Sequence, residues 1–452
     1  MVERGNASWS DLSTSAQQEL DLAITGWQAA ADGGLPPAQC FLGQLYQSGQ
    51  GVEQSDVEAA RWIKKAAEQG YAEAQFILGK ILEFGNGMEK NITEAAQWYL
   101  KAAAQDFLEA QYTLGAIFES GQGVEKSDAE AARWTKSAAE KGHAAAQCNL
   151  GLLLVGGRGV VQSDVEAARW FKKAAGQGHA EAQYKLGIFY AEGRGIAQSD
   201  VKAAQWCKEA ADQGCAPAQN YLGIAYESGR GLARNYVAAV QWTKRAADQG
   251  NAEAQYMLGH FFECGDGIAQ NVVEAARWFK KAADQGNVKA YCDLGMLYLN
   301  GRGVAQSDEN AVQYFKKAAK LGISIAQSNL ALMYSQGRGV ERSDRKAAAW
   351  FTKAAEQGVA IAQFNLGRRC MQKSDATQNY HVEAVQWYRK AADQGHAGSQ
   401  CSLGHLYQHG IGVEQSDAEA MRWFKMGAEQ RNRARAVQGR VDIAGWQPDR
   451  KD

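Results

Sequence analysis

Proline and net charge are both scarce in this chain. Only four of its 452 residues are proline, although 49 are glycine. This combination excludes long proline-rich linkers and indicates many regular turns between structured segments. The 49 Lys and Arg residues nearly cancel the 50 Asp and Glu residues. A chain with that balance has no broad electrostatic attraction for nucleic acid or anionic membranes, so neither is an expected partner.

Long apolar runs are missing as well. No stretch approaches the ~20 apolar residues that a transmembrane helix requires, and residues 1–26 lack the apolar run of a signal peptide. We therefore expect a cytoplasmic protein that does not insert into membranes. Motifs for phosphate loops, dinucleotide binding and zinc proteases are also missing, so we predict no cofactor and no catalytic residue.

What the sequence does contain is a repeat. A glycine after leucine recurs every 36 residues, with one step of 37. These positions are Gly43, Gly79, Gly115, Gly151, Gly187, Gly223, Gly259, Gly295, Ala331, Gly367 and Gly404. About nineteen residues after each stands an aromatic residue: Trp62, Trp98, Trp134, Trp170, Trp206, Trp242, Trp278, Tyr314, Trp350, Trp387 and Trp423. The chain therefore contains eleven repeats of one plan.

Each repeat predicts two helices joined by a glycine turn. In the first half, such as residues 252–265 (AEAQYMLGHFFECG), Ala, Leu, Gly and an aromatic residue stand at helical spacing before a glycine stop. The second half, such as residues 54–70 (QSDVEAARWIKKAAEQG), opens with a Ser-Asp capping signal and ends at Gly70. Alanine pairs allow close helix packing, and we expect the tryptophan to fill wider gaps. One hairpin cannot bury its own apolar face, so the repeats must stack.

The sequence motif of the repeat resembles that of a known family. The motif A-x-A-Q-x-x-L-G-x-x-Y, then G-x-G-V, then S-D-x-x-A-A-x-W-x-K-K-A-A-x-Q-G, resembles the Sel1-like repeat, a relative of the tetratricopeptide repeat. The resemblance implies an all-α, right-handed superhelical solenoid of about eleven helix-turn-helix repeats. It also implies a non-enzymatic scaffold or adaptor that binds a protein or peptide along the surface lined by the first helices.

Two other functions stay open at this point. Some cysteine-rich relatives bind or hydrolyse β-lactams, and other repeat proteins of this kind serve as regulatory subunits of membrane enzymes or of protein quality-control complexes. In the present sequence, Ser199 to Lys202 and Ser343 to Lys346 match the S-x-x-K pattern of penicilloyl-serine enzymes. Both lie where other repeats carry S-D-V-E or S-D-A-E, so we predict that these serines cap helices.

The repeat plan also predicts segment boundaries. Residues 1–20 form an N-terminal segment that is a candidate for disorder, and residues 21–430 form a single solenoid that starts with a half-repeat cap around Trp27. Residues 431–452 depart from the plan and form a C-terminal cap and basic tail.

Three departures stand out inside the solenoid. Asp106 replaces the terminal glycine of the second repeat, and Ala331 replaces the Leu-Gly glycine of the ninth. The tenth repeat, at residues 366–387, lacks G-x-G-V and gains one residue. At these places we expect the solenoid to bend, loosen or carry an exposed loop.

Cysteine and histidine give only weak site candidates. Cys40, Cys148, Cys292 and Cys401 share one slot of the repeat, and we interpret them as packing residues. Cys207 and Cys215 have a spacing that resembles the disulfides of the cysteine-rich relatives, but we predict reduced thiols. Cys401, His405 and His409 lie on one helical face and are a weak metal candidate, because metal sites normally draw ligands from several elements.

Partner binding is predicted where the repeats differ. On a helical wheel, the residues two before, one after and five after the Leu-Gly glycine point away from the packing face. We call these positions of the first helices the variable stripe. In the middle repeats the predicted binding residues are Lys185, Ile188, Tyr221, Ile224, Met257, His260, Asp293, Met296, Asn329 and Leu332. The alternative is that these side chains pack inside the superhelix.

Overall fold

The structure is a computed structural model that describes the backbone of residues 14–372 and 378–444 and the side chains of residues 22–372 and 379–430. Over these ranges the chain forms α-helices and short turns, without a β-strand. Helix α1 (Thr14–Asp32) comes first, and eleven pairs of helices follow it.

The first helix of each pair carries the Leu-Gly motif. These helices are α2 (Pro36–Ser48), α4 (Ala72–Phe84), α6 (Leu108–Ser120), α8 (Ala144–Gly156), α10 (Ala180–Glu192), α12 (Ala216–Ser228), α14 (Ala252–Cys264), α16 (Val288–Asn300), α18 (Ser324–Gln336), α20 (Ala360–Met371) and α22 (Ala397–His409). Most end at a glycine in the left-handed region, such as Gly157 with φ 63°. Glycine adopts that conformation without strain, which is why the sequence predicts a stop there.

The second helix of each pair carries the tryptophan. These helices are α3 (Asp56–Glu68), α5 (Ile92–Ala104), α7 (Asp128–Glu140), α9 (Asp164–Gly176), α11 (Asp200–Asp212), α13 (Tyr236–Asp248), α15 (Val272–Asp284), α17 (Asp308–Lys320), α19 (Asp344–Glu356), α21 (Gln378–Asp393) and α23 (Asp417–Ala444). Ser163 caps α9 by accepting a hydrogen bond from the Glu166 N–H at 3.3 Å. The capping prediction is therefore confirmed for this helix.

The chain divides into two compact units. The N-terminal unit comprises residues 1–234 and contains α1 to α12, and the C-terminal unit comprises residues 235–452 and contains α13 to α23. Within each unit, a helix packs mainly against the helices next to it in sequence. Such packing between sequence neighbours is typical of stacked repeats. The predicted all-α class, with helix pairs packed in series, is confirmed.

Close packing within a pair depends on the Leu-Gly glycine. A Cβ atom at Gly151 would lie 2.6 Å from Cε1 of Phe171 on the next helix. Gly259 faces Phe279 and Gly295 faces Phe315 in the same way. These phenylalanines are fully buried. The glycine thus makes room for the largest side chain of the core.

The tryptophans play a smaller part than the sequence indicates. Trp170 is only half-buried, and Lys173 places its ammonium 3.9 Å from the centre of the ring. The gap between the helices is filled instead by the next residue, Phe171 in this repeat. In this repeat the tryptophan therefore lies at the edge of the core, where its ring is covered by a cation, whereas Trp62, Trp278 and Trp423 are buried.

A buried glutamine joins most hairpins to their neighbours, whereas the α16 hairpin has Tyr291 at this position. Gln147 on α8 donates from Nε2 to the Ala139 carbonyl at 3.1 Å, and its Oε1 accepts from Gln177 Nε2 at 2.8 Å. The same pair of bonds recurs at Gln183 and Gln327. Each of these glutamines adds a second hydrogen bond to a carbonyl at the end of the preceding helix, which also accepts the backbone N–H of the residue three positions later.

The departures from the repeat plan have different outcomes. Asp106 keeps the left-handed conformation of the glycine it replaces, with φ 66°, and pairs with Lys141. Ala331 is fully buried in the same cluster as Phe351, so a methyl group is tolerated at this one site. Helix α20 ends at Gln372 without a left-handed residue, and residues 373–377 lie outside the described chain.

The segment boundaries stay predictions. Helix α1 packs against α2, where a half-repeat cap is expected. Of the two terminal segments, residues 1–13 and the side chains of residues 431–452 lie outside the part that the structure describes, although the α23 backbone continues to Ala444.

Candidate functional site

The variable stripe is partly exposed in both units. In the N-terminal unit, Lys185, Ile188 and Tyr221 are half-buried and Ile224 is 38% exposed. In the C-terminal unit, Met257, His260, Asp293, Asn329 and Leu332 are half-buried and Met296 is 38% exposed. None of these ten side chains is fully buried, so each keeps surface that a ligand can contact.

Cavities lie along the stripe between the first helices of consecutive repeats. A cavity of about 440 Å³ between α2 and α4 is lined by Gln44, Ile77, Lys80 and Phe84, which are stripe residues of the first two repeats. A second, of about 180 Å³, lies between α8 and α10. Its lining includes Leu152, Lys185, Ile188 and Glu192. The stripe therefore has concave places as well as exposed side chains.

A third cavity lies between α18 and α20. Its volume is about 310 Å³, and its lining includes the stripe residues Gln336, Asn365, Arg368 and Gln372. Phe351 lines it from α19, just as Phe171 lines the α8/α10 cavity from α9. The same step of the repeat therefore builds both cavities.

Stripe residues of the C-terminal unit form polar contacts between repeats. His260 Nε2 lies 2.7 Å from the Tyr256 hydroxyl and 3.4 Å from Asp293 Oδ2 of the next first helix. Burial, and secondarily Asp293, raise the pKa of Tyr256, so this hydroxyl keeps its proton. Asn329 Nδ2 lies 3.6 Å from the Met296 sulfur. The structure thus brings together two pairs of the predicted binding residues, His260 with Asp293 and Met296 with Asn329.

The stripe of the N-terminal unit is more apolar. Tyr221 packs against the cluster that contains Phe171, Leu186 and Phe189, and burial raises the pKa of Tyr221 to about 12. Ile188 lines the α8/α10 cavity beside Leu152. These side chains can anchor an apolar group of a ligand.

The cysteines behave as separate packing residues. Cys207 is fully buried against Gly187, and burial raises the pKa of its thiol. Cys215 is half-buried at the N-cap of α12, and both residues are thiols in the structure. Within the shared slot, Cys40 and Cys148 are buried, whereas Cys292 and Cys401 are half-buried. High thiol pKa values keep Cys40 and Cys148 protonated and weakly nucleophilic, since burial raises each to about 12.

The structure does not gather ligands at the weak metal candidate. Cys401 faces Gly427 on α23, and His405 packs edge-on against Phe424 with ring centres 5.0 Å apart. His409 is the last residue of α22. Among the residues with described side chains, no group of three or more His, Cys, Asp or Glu is arranged to hold a metal ion.

Both S-x-x-K serines cap helices. Ser199 Oγ accepts from the Lys202 backbone N–H at 3.3 Å, and Ser343 Oγ accepts from that of Lys346 at 3.3 Å. The capping role that the repeat plan predicts for them is confirmed. A hydroxyl oxygen in this geometry stabilises the first turn of its helix.

Comparison with known proteins agrees with the helix pairs and their register. The profile of the Sel1 repeat matches eleven consecutive segments that together span residues 36–432. The chain belongs to the Sel1 repeat family. Members of this family are generally non-catalytic scaffolds that bind other proteins. No curated protein has significant sequence similarity to the chain.

Two solved structures resemble this Sel1 repeat protein at 33% sequence identity. One is a protective antigen of uropathogenic Escherichia coli that displays an SLR fold; the match has a TM-score of 0.81 and covers 95% of this chain and 99% of the antigen. The other is a Sel1 repeat protein from Oxalobacter formigenes, with a TM-score of 0.54 over 68% of this chain and 89% of that one. In the described part of the chain, every helix is too short or too polar to cross a membrane. The cytoplasmic location stays a prediction.

Proposed function

We propose that this Sel1 repeat protein is a non-enzymatic adaptor that holds a segment of a partner protein along the variable stripe. The observation that carries the proposal is the position of the cavities. Those between α2 and α4, α8 and α10, and α18 and α20 each open between two consecutive first helices and are lined by stripe residues. A cavity of this kind can take a side chain of a partner segment while exposed stripe residues beside it contact the neighbouring side chains.

The stripe has the physical properties that such binding requires. Its residues stand on helices whose packing faces are fixed by buried Leu-Gly pairs, so ordering them on binding costs little conformational entropy. Ile224 and Met296 leave more than a third of their surface in water and gain burial when a partner covers them. Polar groups such as His260 and Asn329 can select among partners through hydrogen bonds.

A peptide-display experiment tests this proposal on the full chain. Peptides are selected from a random twelve-residue phage library, and their affinities are then measured for the variant Ile224→Asp with Met296→Asp. We expect the affinities of the selected peptides to fall at least tenfold, since a charge in place of an apolar anchor must be desolvated on binding.

The matched control is Val165→Asp with Val273→Asp. Both valines are 50% exposed and lie on the second helices α9 and α15, away from the stripe. The control should bind the peptides as the parent does, and circular dichroism should show equal helicity for all three proteins. Binding that survives the stripe changes, or unfolding caused by them alone, would contradict the proposal.

A further inference from the structure

The tenth repeat places an arginine where every other repeat has a buried apolar residue. The position two after the Leu-Gly glycine is occupied by Leu45, Ile81, Ile117, Leu153, Phe189, Ala225, Phe261, Leu297, Met333 and Leu406, all buried. In the tenth repeat it is Arg369, whose side chain is 30% exposed. A guanidinium in a core position lowers stability unless charged or polar groups surround it. Its presence therefore needs an explanation beyond packing.

Arg369 lines the α18/α20 cavity together with two more arginines. Arg368 precedes it on α20, and Arg342 reaches the cavity from the turn before α19. Asp344 is the only carboxylate among the described residues of the lining. Three fixed positive charges facing one negative charge leave the cavity with a net positive charge. The whole chain has a formal net charge of −1, so this charge is a local feature.

Asp344 does not neutralise these arginines well. It lies 3.8 Å from Arg342 and 3.8 Å from Arg369, and its side chain is 59% exposed. Arg368 donates to Asn365 Oδ1 at 2.9 Å and makes no ion pair with the described side chains. Elsewhere in the same unit, Arg338 forms two hydrogen bonds to Asp308, at 2.7 and 3.0 Å. Arg338 thus has a carboxylate in good hydrogen-bonding geometry, whereas the arginines of the cavity have N–H donors that Asp344 does not occupy.

We propose that this cavity binds the carboxylates of an acidic segment of the partner protein. A guanidinium offers a fork of N–H donors that matches a carboxylate, and two or three of them can hold neighbouring acidic side chains. Gln336 and Gln372 in the same lining can pair with the amides of a peptide backbone. This inference rests on the proposed function, because the cavity is a section of the variable stripe, and it assigns that section a chemical preference.

Fluorescence anisotropy of the full chain tests the inference, with a fluorescein-labelled hexaglutamate peptide as the probe. We compare the parent with Arg368→Gln, Arg369→Leu and the double variant. We expect the double variant to weaken binding at least tenfold and each single variant to weaken it severalfold. Affinity should also fall as salt is raised, because the charges are only partly buried. Hexaglutamine should not bind.

Two controls separate local from general electrostatics. Arg61→Gln with Arg277→Gln removes the same number of charges from exposed positions on α3 and α15, and it should change hexaglutamate affinity less than twofold. Arg369→Leu should keep or raise the melting temperature, because it restores the residue type of the other repeats. A fall in melting temperature would assign Arg369 to the fold and overturn the inference. Equal hexaglutamate binding by parent and double variant would overturn it as well.

Two further measurements identify the class of ligand and distinguish a failure of this inference from a failure of the proposed function. Inorganic phosphate at the concentration that saturates with hexaglutamate should not displace the peptide; complete displacement would mean a small-anion site and would overturn the acidic segment as ligand. The stripe variant Ile224→Asp with Met296→Asp should bind hexaglutamate normally. If that variant still binds library peptides while the arginine variants lose hexaglutamate, the proposed function fails and the cavity assignment survives.

Discussion

The cavities at α8/α10 and α18/α20 are built at the same step of the repeat, five repeats apart, and differ in their charge. Phe171 and Phe351 form the corresponding wall of each. At the next two corresponding positions, Ile188 and Phe189 in the first cavity become Arg368 and Arg369 in the second. The first cavity therefore has apolar walls with charges of both signs at Lys185, Glu192 and Arg194, whereas the second has a net positive charge.

The difference shows which residues maintain the repeat fold and which residues select the ligand. In both places the glutamine of the first helix bonds to the preceding carbonyl, through Gln147 and Gln183 at one cavity and through Gln327 and Gln363 at the other. The residues change at the stripe, at the position beside it, from Val155 to Ser335, and in the turn before the second helix, where Gln162 corresponds to Arg342. A repeat frame that tolerates such exchange can vary its recognition without changing its fold.

The largest predicted effect comes from disrupting the packing between helices at the α8/α10 cavity. Gly151→Leu forces a side chain into the space of Phe171, where even a Cβ atom would lie 2.6 Å from the ring. We expect a loss of about 3 kcal/mol in the free energy of unfolding, measured by urea denaturation.

The α18/α20 region supplies the control for that change. It already carries Ala331 at the glycine position, so Ala331→Gly should lower stability by about 1 kcal/mol through helix propensity and lost packing. If Gly151→Leu were as mild as Ala331→Gly, close approach at the glycine would not be what sets the helix spacing.

A smaller effect is expected from the buried glutamines. Gln147→Leu removes one of the two hydrogen bonds to the Ala139 carbonyl and leaves the Gln177 amide without its partner, which should cost about 1 kcal/mol. Gln327→Leu should cost the same, because its bonds to Ala319 and Gln357 are equivalent. Urea denaturation of both variants sharpens the comparison. Unequal losses in the free energy of unfolding would mean that the two regions differ in their helix packing as well as in the residues that line their cavities.

The two regions should also respond differently to acid. His143 caps α8 by accepting the Ala146 N–H at Nδ1, and burial lowers its pKa, opposed by Glu109 and aided by the nearby His179. Since the neutral ring is favoured in the folded state, the stability that the cap supplies is fully present above the unfolded pKa of about 6.5 and is lost as the pH falls through the lower folded-state pKa. The corresponding N-caps of α18 and α20 are Ile323 and Val359, which do not titrate.

Hydrogen exchange measured at pH 7.5 and pH 5 detects this difference. After correction for intrinsic exchange rates, protection at the start of α8 should fall by about 1 kcal/mol in acid, while that of α18 and α20 stays constant. His143→Asn should remove the acid sensitivity, because Asn251 and Asn287 cap α14 and α16 in the same slot. Acid sensitivity that persists in this variant would exclude His143 as its source.

The fold was predictable because its information repeats. Leu-Gly pairs, Ser-Asp caps and glycine stops recur often enough that each repeat supports the others, and the confirmed helices follow from local rules. The tryptophans mark the repeat but not its deepest position, because in most repeats the residue one place later is buried more deeply, and it varies from Ile63 to Phe171 and Cys207.

The site was only partly predictable. A helical wheel places Ile188 and Met296 on the open side of their helices, but empty volume between helices depends on how side chains from three helices meet. The periodicity of the sequence therefore predicts which residues form the variable stripe but not where cavities lie along it. Arg369 could have been noticed by comparing one slot across all repeats, where it is the sole charged residue.

The repeats share most of their packing residues, and we infer that partner recognition depends on the residues that differ between repeats. The most direct test of this claim is the exchange Arg368→Ile with Arg369→Phe, which gives these two positions of the α18/α20 cavity the residues found at the corresponding positions of the α8/α10 cavity. The measurement is the hexaglutamate dissociation constant, taken with the melting temperature of the same protein. We predict at least a tenfold rise in the dissociation constant at an equal or higher melting temperature. Unchanged affinity, or a loss of affinity that accompanies a lower melting temperature, would contradict the claim.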